Sequence, residues 1–549
     1  MTRIYTDCLL MKLALAFIIS VFACSSLGAR DYLEVHRLGI SKNLIEPELI
    51  SGLPIEKFSK AELGIYIPEE ITLSIDEFLK TGKGINPFDP DQVDVSVFFE
   101  HELGACVANA FYYEAYSREP STIKAVFDYC PDAKWNKNKT PFNWRVRFAP
   151  PYAGNWTASV HIKAPSVPGI YFSSLPLKFE VMHGNEAGFL ETGSDKRHFR
   201  LNGNKKSFFC LGQDIAWPDG SRFRGSVNAA KPYLVAGGYM DIQDWIENLS
   251  QSGGNMVRVV NVPWSYEIEW DTLGKYNMAR AWELDTLFST CELNDVKMMF
   301  CMEHGTYTVL PGEQHLDWNK HPYHRTLKNV EMPEDFLVDS TARSWYRKKL
   351  RYFLARWGYS QSLGVFQLIS EMEHWTLRGK NTNLKDNKGA QKKFLNWHNE
   401  MLAFAKEQVA YRPLLTSTSY GAAPRDHAIN AFSSPFVDVV CPRHCYFTQR
   451  NDNLDRWNEV NSKSTFEKGI HTLFPDKPAF FDELGFGTSA ADPNDIDACN
   501  DITYHNTIWA TSFMGTAGSG MYWWRWGSNA YRENNFPALA AFFKNVDFE

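Results

Sequence analysis

From residue 206 to residue 549, short apolar runs alternate with helical patterns, and this alternation constrains the fold more than any other feature. Eight strand candidates stand out: Ser207–Gln213, Met256–Val262, Lys297–Met302, Val365–Glu371, Leu414–Ser417, Val437–Val440, Pro478–Glu483 and Ser519–Trp524. Near-continuous apolar runs suit parallel strands covered on both faces. Helical patterns at Met240–Ser252, Ala279–Leu293, Ser344–Trp357, Ala390–Gln408 and Ile502–Met514 separate most of them. In the second, Ala281, Leu284, Leu287, Phe288 and Cys291 recur at helical spacing, and Asn294 supplies a stop. Eight such units in about 340 residues predict a (β/α)8 TIM barrel over 206–549.

The preceding residues have a different period. Over 60–183, short runs alternate apolar and polar residues between Pro, Gly and Asn, as in Gln92–Phe99, Phe142–Phe148, Asn155–Ile162 and Leu177–Val181. Half-buried antiparallel strands read this way, so an all-β sandwich is expected ahead of the barrel. It either braces the barrel or binds sugar. Residues 25–59 read as a polar lead-in and 184–205 as a linker with a small hairpin around Phe199–Asn204.

Residues 1–24 read as an export signal. Lys12 precedes the apolar run Leu13–Ala23, which is too short for a permanent membrane span. Met11 offers a second start, and Val21-Phe-Ala-Cys24 resembles a bacterial lipobox, making Cys24 the lipidated residue; the alternative is cleavage near Ala29 and a soluble secreted protein. Either way the protein is expected to be exported, touching a membrane only through that anchor. Export permits disulfides, and Cys106 and Cys130 can pair, while Cys210, Cys301 and Cys441 sit on or beside apolar strands as small core residues. Cys441-Pro-Arg-His-Cys445 lacks the second ligand pair a zinc site needs. Net charge is −7 with no Lys/Arg run, so nucleic acid is not an expected partner.

Two apolar strands end in carboxylates: Gly364-Val-Phe-Gln-Leu-Ile-Ser-Glu371 and Pro478-Ala-Phe-Phe-Asp-Glu483. The carboxyl ends of barrel strands are where this fold keeps its chemistry. Glycoside hydrolysis needs two carboxyl groups flanking one bond, one protonated and one ionised. With 18 Trp and 15% aromatic residues, the chain is also rich in the flat apolar side chains that sugar clefts use. Glu373 competes with Glu371, lying two residues on and on the same face if the strand continues. Asp482 should point away from Glu483 by strand alternation. Asp214 and His304, at the ends of strands one and three, can bind sugar hydroxyls or make structural hydrogen bonds. The segment His304–Glu334 holds Tyr307, His315, Trp318, His321, Tyr323 and His324, which suggests a cleft wall.

The barrel resembles the clan A, family 5-like (β/α)8 glycoside hydrolases. That resemblance implies Glu371 after strand four as acid/base and Glu483 after strand seven as nucleophile. Arg258 in Met256-Val-Arg-Val-Val260 matches the clan's strand-two Arg, although a core ion pair is the other reading. His444 and Tyr446 match its His-x-Tyr after strand six. Trp523, in Tyr522-Trp-Trp-Arg-Trp526, matches the strand-eight Trp that floors the cleft. Trp524 and Trp526 fall on the opposite face. Tyr446 would donate to Glu483, and burial near Trp375 would raise the acid's pKa. Ser370 departs from the clan, which has Asn before its acid/base. Asn86–Pro90, Trp144–Pro150 and Gly154–Trp156 resemble the β-sandwich fused ahead of such barrels. The implied activity is retaining β-glycoside hydrolysis of an extracellular poly- or oligosaccharide, with no cofactor. The alternative is a non-catalytic carbohydrate-binding surface lipoprotein.

Overall fold

A computed structural model describes residues 46–120, 133–165, 171–184, 187–218, 239–304, 318–372, 388–409, 413–419, 430–442, 470–484, 504–506, 508–523 and 535–548. Its amino-terminal part holds two largely antiparallel sheets. One runs in the order Glu48–Leu49, Ala61–Ile65, Trp144–Phe148, Phe111–Tyr112. The other runs Ile55–Glu56, Leu177–Met182, Gly154–Lys163, Asp94–His101, Gly104–Asn109, with Tyr171–Ser173 also paired to Gly154–Lys163. Alternation decides the buried face: Val95, Val97 and Phe99 point inward from one strand, and Trp156, Ala158, Val160 and Ile162 from its partner. The two sheets meet where Phe99 stacks on Phe148, with ring centroids 4.3 Å apart, and where Phe148 meets Trp156.

Two features differ from the sequence reading. The lead-in supplies a strand to each sheet. Residues 69–81, read as part of an all-β region, form the helix Glu69–Thr81. The signals for it are present: Pro68 followed by two glutamates, Ile71 and Ile75 one turn apart and buried, and Gly82 at φ 79° as its stop.

The second part is built on parallel strands, Leu414–Thr416, Leu363–Ser370, Lys297–His304, Met256–Val260, Gly212–Ala216 and Tyr522–Trp523 in that spatial order. Backbone hydrogen bonds carry the order on from Leu415 to Asp438 and Val439, from Val440 to Pro478 and Phe480, and from Ala479 and Phe481 to Ala517 and Met521. The first strand lies later than Ser207–Gln213. Ser207–Phe208 instead pairs antiparallel with Phe199–Leu201 in a three-stranded sheet, and the parallel ladder starts at Gly212. Leu190, Phe199 and Phe208 from this small sheet pack with Met256, Met299, Val365, Leu414, Val439, Phe480 and Met521. An apolar layer therefore fills the amino ends of the strands. Cys210, Cys301 and Cys441 are buried core residues.

Helices Met278–Leu293 and Ser340–Trp357 start at side-chain caps: Asn277 accepts from the N–H groups of Ala279 and Arg280, and Asp339 from that of Ala342. They also carry the clasp between the two parts. Asp285 accepts from Arg147 of the antiparallel sheet at 2.7 Å, from Arg356 at 2.6 Å and from the Trp357 indole at 2.9 Å. Burial pushes Asp285 up, but Arg147 and Arg356 outweigh it and hold the carboxyl well below the usual range. Asp285→Ala takes the carboxylate from the buried Arg356 and leaves Arg147 with Glu62 alone, and should cost about 3–5 kcal/mol in denaturant unfolding. Because the native carboxyl is depressed, this stability is present above the unfolded value near pH 4 and lost as pH falls below it. The gap between wild type and variant should accordingly narrow in acid.

Candidate active site

Two residues along its strand from Met256 in the apolar layer, Arg258 enters the next layer of the interior with 0% of its surface exposed. A guanidinium out of water must satisfy five N–H groups and its charge. Nε donates to Gln367 Oε1 at 3.1 Å and lies 3.3 Å from Asp482 Oδ2. Nη1 donates to Asp214 Oδ2 at 2.6 Å and Glu483 Oε2 at 2.9 Å. Nη2 donates to Gln367 Oε1 at 3.0 Å and Ser370 Oγ at 2.7 Å. Burial opposes the charge on Arg258, but Asp214, Asp482 and Glu483 outweigh it and hold the group protonated. For Asp214, burial raises the carboxyl, Arg258 pulls it back and Glu483 raises it again, with the balance at about 7.

Consecutive carboxylates reaching one guanidinium correct the expectation that Asp482 points away from Glu483. The chain bends at Asp482, and its bridges to neighbours lie only at Ala479 and Leu484. Without a continuous strand the two-residue alternation lapses. Asp482 also accepts from Gln367 Nε2 at 2.8 Å, so one amide links the guanidinium to a carboxylate.

The strand Leu363–Ser370 stops one residue before Glu371, which turns at φ 53°, a conformation that costs a side-chain-bearing residue about 1 kcal/mol or more. Its N–H donates to Thr418 Oγ1 at 3.4 Å, and Thr418 donates to Ser370 Oγ at 3.3 Å. Ser370 is fully buried, so its hydroxyl is engaged inside the network. Glu371 is slightly open, and His304 Nε2 lies 3.8 Å from its Oε2. Trp217 meets the His304 ring edge-on at 5.9 Å and Trp264 at 5.3 Å.

Of the residues singled out from sequence, Asp214, Arg258 and Glu483 are in direct contact, and Glu371 and His304 adjoin them through Ser370. The Trp523 backbone pairs with Asp214. Cys24, Glu373, Trp375, His444, Tyr446, Trp524 and Trp526 lie outside the described residues. The aromatic segment after strand three also departs from expectation. Trp318, His321 and Tyr323 are buried, with Trp318 stacked on His321 and the Tyr323 hydroxyl donating to Glu269 at 3.1 Å. These three therefore pack inside rather than forming a cleft wall. Gln367, Thr418 and Trp217 were missed. Gln367 had a signal, being the one amide within the apolar run Val365–Ile369.

No protein-family profile and no curated protein matches the chain. Solved structures do. A Bacteroides vulgatus ATCC 8482 protein, provisionally described as a glycoside hydrolase, superposes with a TM-score of 0.52 at 13% identity, over 90% of this chain and 78% of its own. An endo-1,4-β-mannanase from Rhizomucor miehei gives a TM-score of 0.46 at 12% identity, over 65% of this chain and 100% of its own. A Bacteroides uniformis β-glucuronidase gives 0.40 at 12% identity, over 86% of this chain and 45% of its own. At such identity the first shows a shared fold.

If the turn at Glu371 is strained, Glu371→Gly should be more stable than Glu371→Ala by about 1 kcal/mol, since glycine adopts positive φ freely. Denaturation midpoints of the two variants check this. Equal midpoints would place no strain at the turn.

Proposed function

We propose that the chain is a retaining β-glycoside hydrolase of an extracellular poly- or oligosaccharide, a (β/α)8 barrel over 206–549 preceded by a β-sandwich over 60–183. The path of backbone hydrogen bonds through all the parallel strands supports the barrel, and the face-to-face packing of Phe99, Phe148 and Trp156 supports the sandwich. One observation carries the functional reading. A single buried guanidinium ties Glu483 to Ser370, the residue before Glu371, so that two strand-end carboxylates share one rigid support.

In this reading Glu371 enters protonated and gives its proton to the glycosidic oxygen as the bond to the anomeric carbon breaks. The Glu483 carboxylate attacks that carbon and forms a glycosyl–enzyme ester. Glu371, now ionised, takes a proton from water, which displaces Glu483 and restores the starting state. Arg258 Nη1 donates to Glu483 Oε2 at 2.9 Å and holds the carboxylate in place. His304 beside Glu371, with Trp375, His444, Tyr446 and Trp523, is assigned to substrate contact. Leu13–Ala23 and Cys24 support export with a lipid anchor.

The test is product release from plant, algal and host glycans, with wild type beside Glu371→Ala and Glu483→Ala. Wild type should liberate saturated sugars with retained anomeric configuration, and each variant should lose at least about 10²–10⁴-fold in rate. Inverted products, with carboxyl groups about 6.5–9.5 Å apart instead of about 5–5.5 Å, would replace the retaining step. Glycan binding without cleavage, equal in all three proteins, would replace catalysis with a binding module.

A further inference from the structure

Asp214 stands at the end of the first parallel strand and is as buried as Arg258, with 0% of its surface exposed. Its two oxygens are both engaged. Oδ1 accepts from the Ala216 N–H at 2.9 Å, and Oδ2 from Arg258 Nη1 at 2.6 Å. The local backbone is shaped for this. The register against Met256–Val260 shifts between Asp214 and Ala216, so one extra residue is accommodated, and Ala216 sits at φ 50°. A bulge with a strained alanine at the end of a strand is a device that aims a side chain, and its cost persists only where the surroundings over-determine it.

Arg258 Nη1 carries two hydrogens. One goes to Asp214 and the other to Glu483 Oε2 at 2.9 Å. The opposite edge of the guanidinium is held by Gln367 and Ser370. Asp214 is therefore the only neutral-to-acidic anchor, among the described residues, that shares a donor nitrogen with Glu483.

We propose that Asp214 is a positioning residue: through the bulge at Ala216 it fixes Arg258 so that the second Nη1 hydrogen is delivered to Glu483. This rests on the reading of Glu483 as nucleophile. The charged and titratable groups facing Asp214 are Arg258, Glu483, Asp482 across the guanidinium, and the Cys301 thiol.

The two roles open to Asp214 predict different outcomes. As a substrate ligand, its removal would weaken binding and raise KM. As the anchor of Arg258, its removal frees one side of Nη1, loosens the donor to Glu483 and lowers kcat with KM unchanged. The experiment is kcat and KM for Asp214→Ala on an aryl glycoside that wild type cleaves. The expected result is a fall in kcat of tenfold or more with unchanged KM. A raised KM with unchanged kcat would make Asp214 a substrate ligand and overturn the proposal. An unchanged kcat with unchanged KM would do the same. Asp214→Asn, nearly isosteric, gives the same reading if the alanine variant does not fold. Should wild type cleave nothing, the hydrolase reading fails by itself. A crystal structure of the variant then decides the inference: Arg258 Nη1 displaced from Glu483 upholds it, and Nη1 still at 2.9 Å ends it.

Discussion

The burial of one guanidinium organises this molecule. Arg258 has none of its surface exposed, and a buried cation without partners is costlier than the stability of a whole domain. The partners are drawn from separate parts of the chain: Asp214 from one strand, Gln367 and Ser370 from another, Asp482 and Glu483 from a third segment. Each segment must reach its register before the charge is neutralised. The network thus contributes specificity of arrangement more than net stability, since buried ion pairs often do little better than apolar substitutes. An apolar packing of the same volume would hold these strands together equally well, but it would present no carboxylate at their ends.

The layering makes this possible. Met256, Met299, Val365, Leu414 and Phe480 fill one end of the parallel strands, closed off by Leu190, Phe199 and Phe208. Two residues further along, the same strands carry Arg258, Cys301, Gln367, Thr416 and Asp482. Side chains of alternate residues share a face, so the step from apolar to polar is one period of the strand. Regular geometry ends where the polar network begins. Ala216 and Glu371 both adopt positive φ, and Asp482 sits in a bend. Strain at these points is tolerated because the network fixes both of its flanks.

The strands and helices of the second part were legible because their apolar runs are long and their periods differ. The strand-end carboxylates were legible because a charge inside an apolar run is rare. What escaped was whatever depended on departures from periodicity. Asp482 and Glu483 could be placed on opposite faces because alternation assumes an unbroken strand, and the chain bends at Asp482. The turn at Glu371 and the bulge before Ala216 leave no residue signature, since neither is glycine. Ser207–Phe208 was read into the parallel ladder because its apolar character is the same on either side of the junction at Gly212. The helix Glu69–Thr81 was overlooked among strands although its start and stop were written in the sequence.

The same economy appears in a second buried cluster, which bears on the site from outside. Lys349, on the helix Ser340–Trp357, donates to Glu267 at 2.7 Å and to Glu303 at 2.9 Å. Asn261 donates to Glu267 at 2.6 Å and to the Met302 carbonyl at 3.1 Å, which ties the segment after the second strand to the end of the third. Burial pushes the neighbouring Glu269 up to about 8 despite Lys349. Glu303 immediately precedes His304, whose ring lies beside Glu371. A helix on the outside of the sheet therefore fixes, through one lysine, the strand end beside Glu371. Arg258 acts on Glu483 from the interior, and Lys349 acts on the strand of His304 from the periphery. Both use a fully paired cation to hold carboxyl groups where an apolar core would leave none.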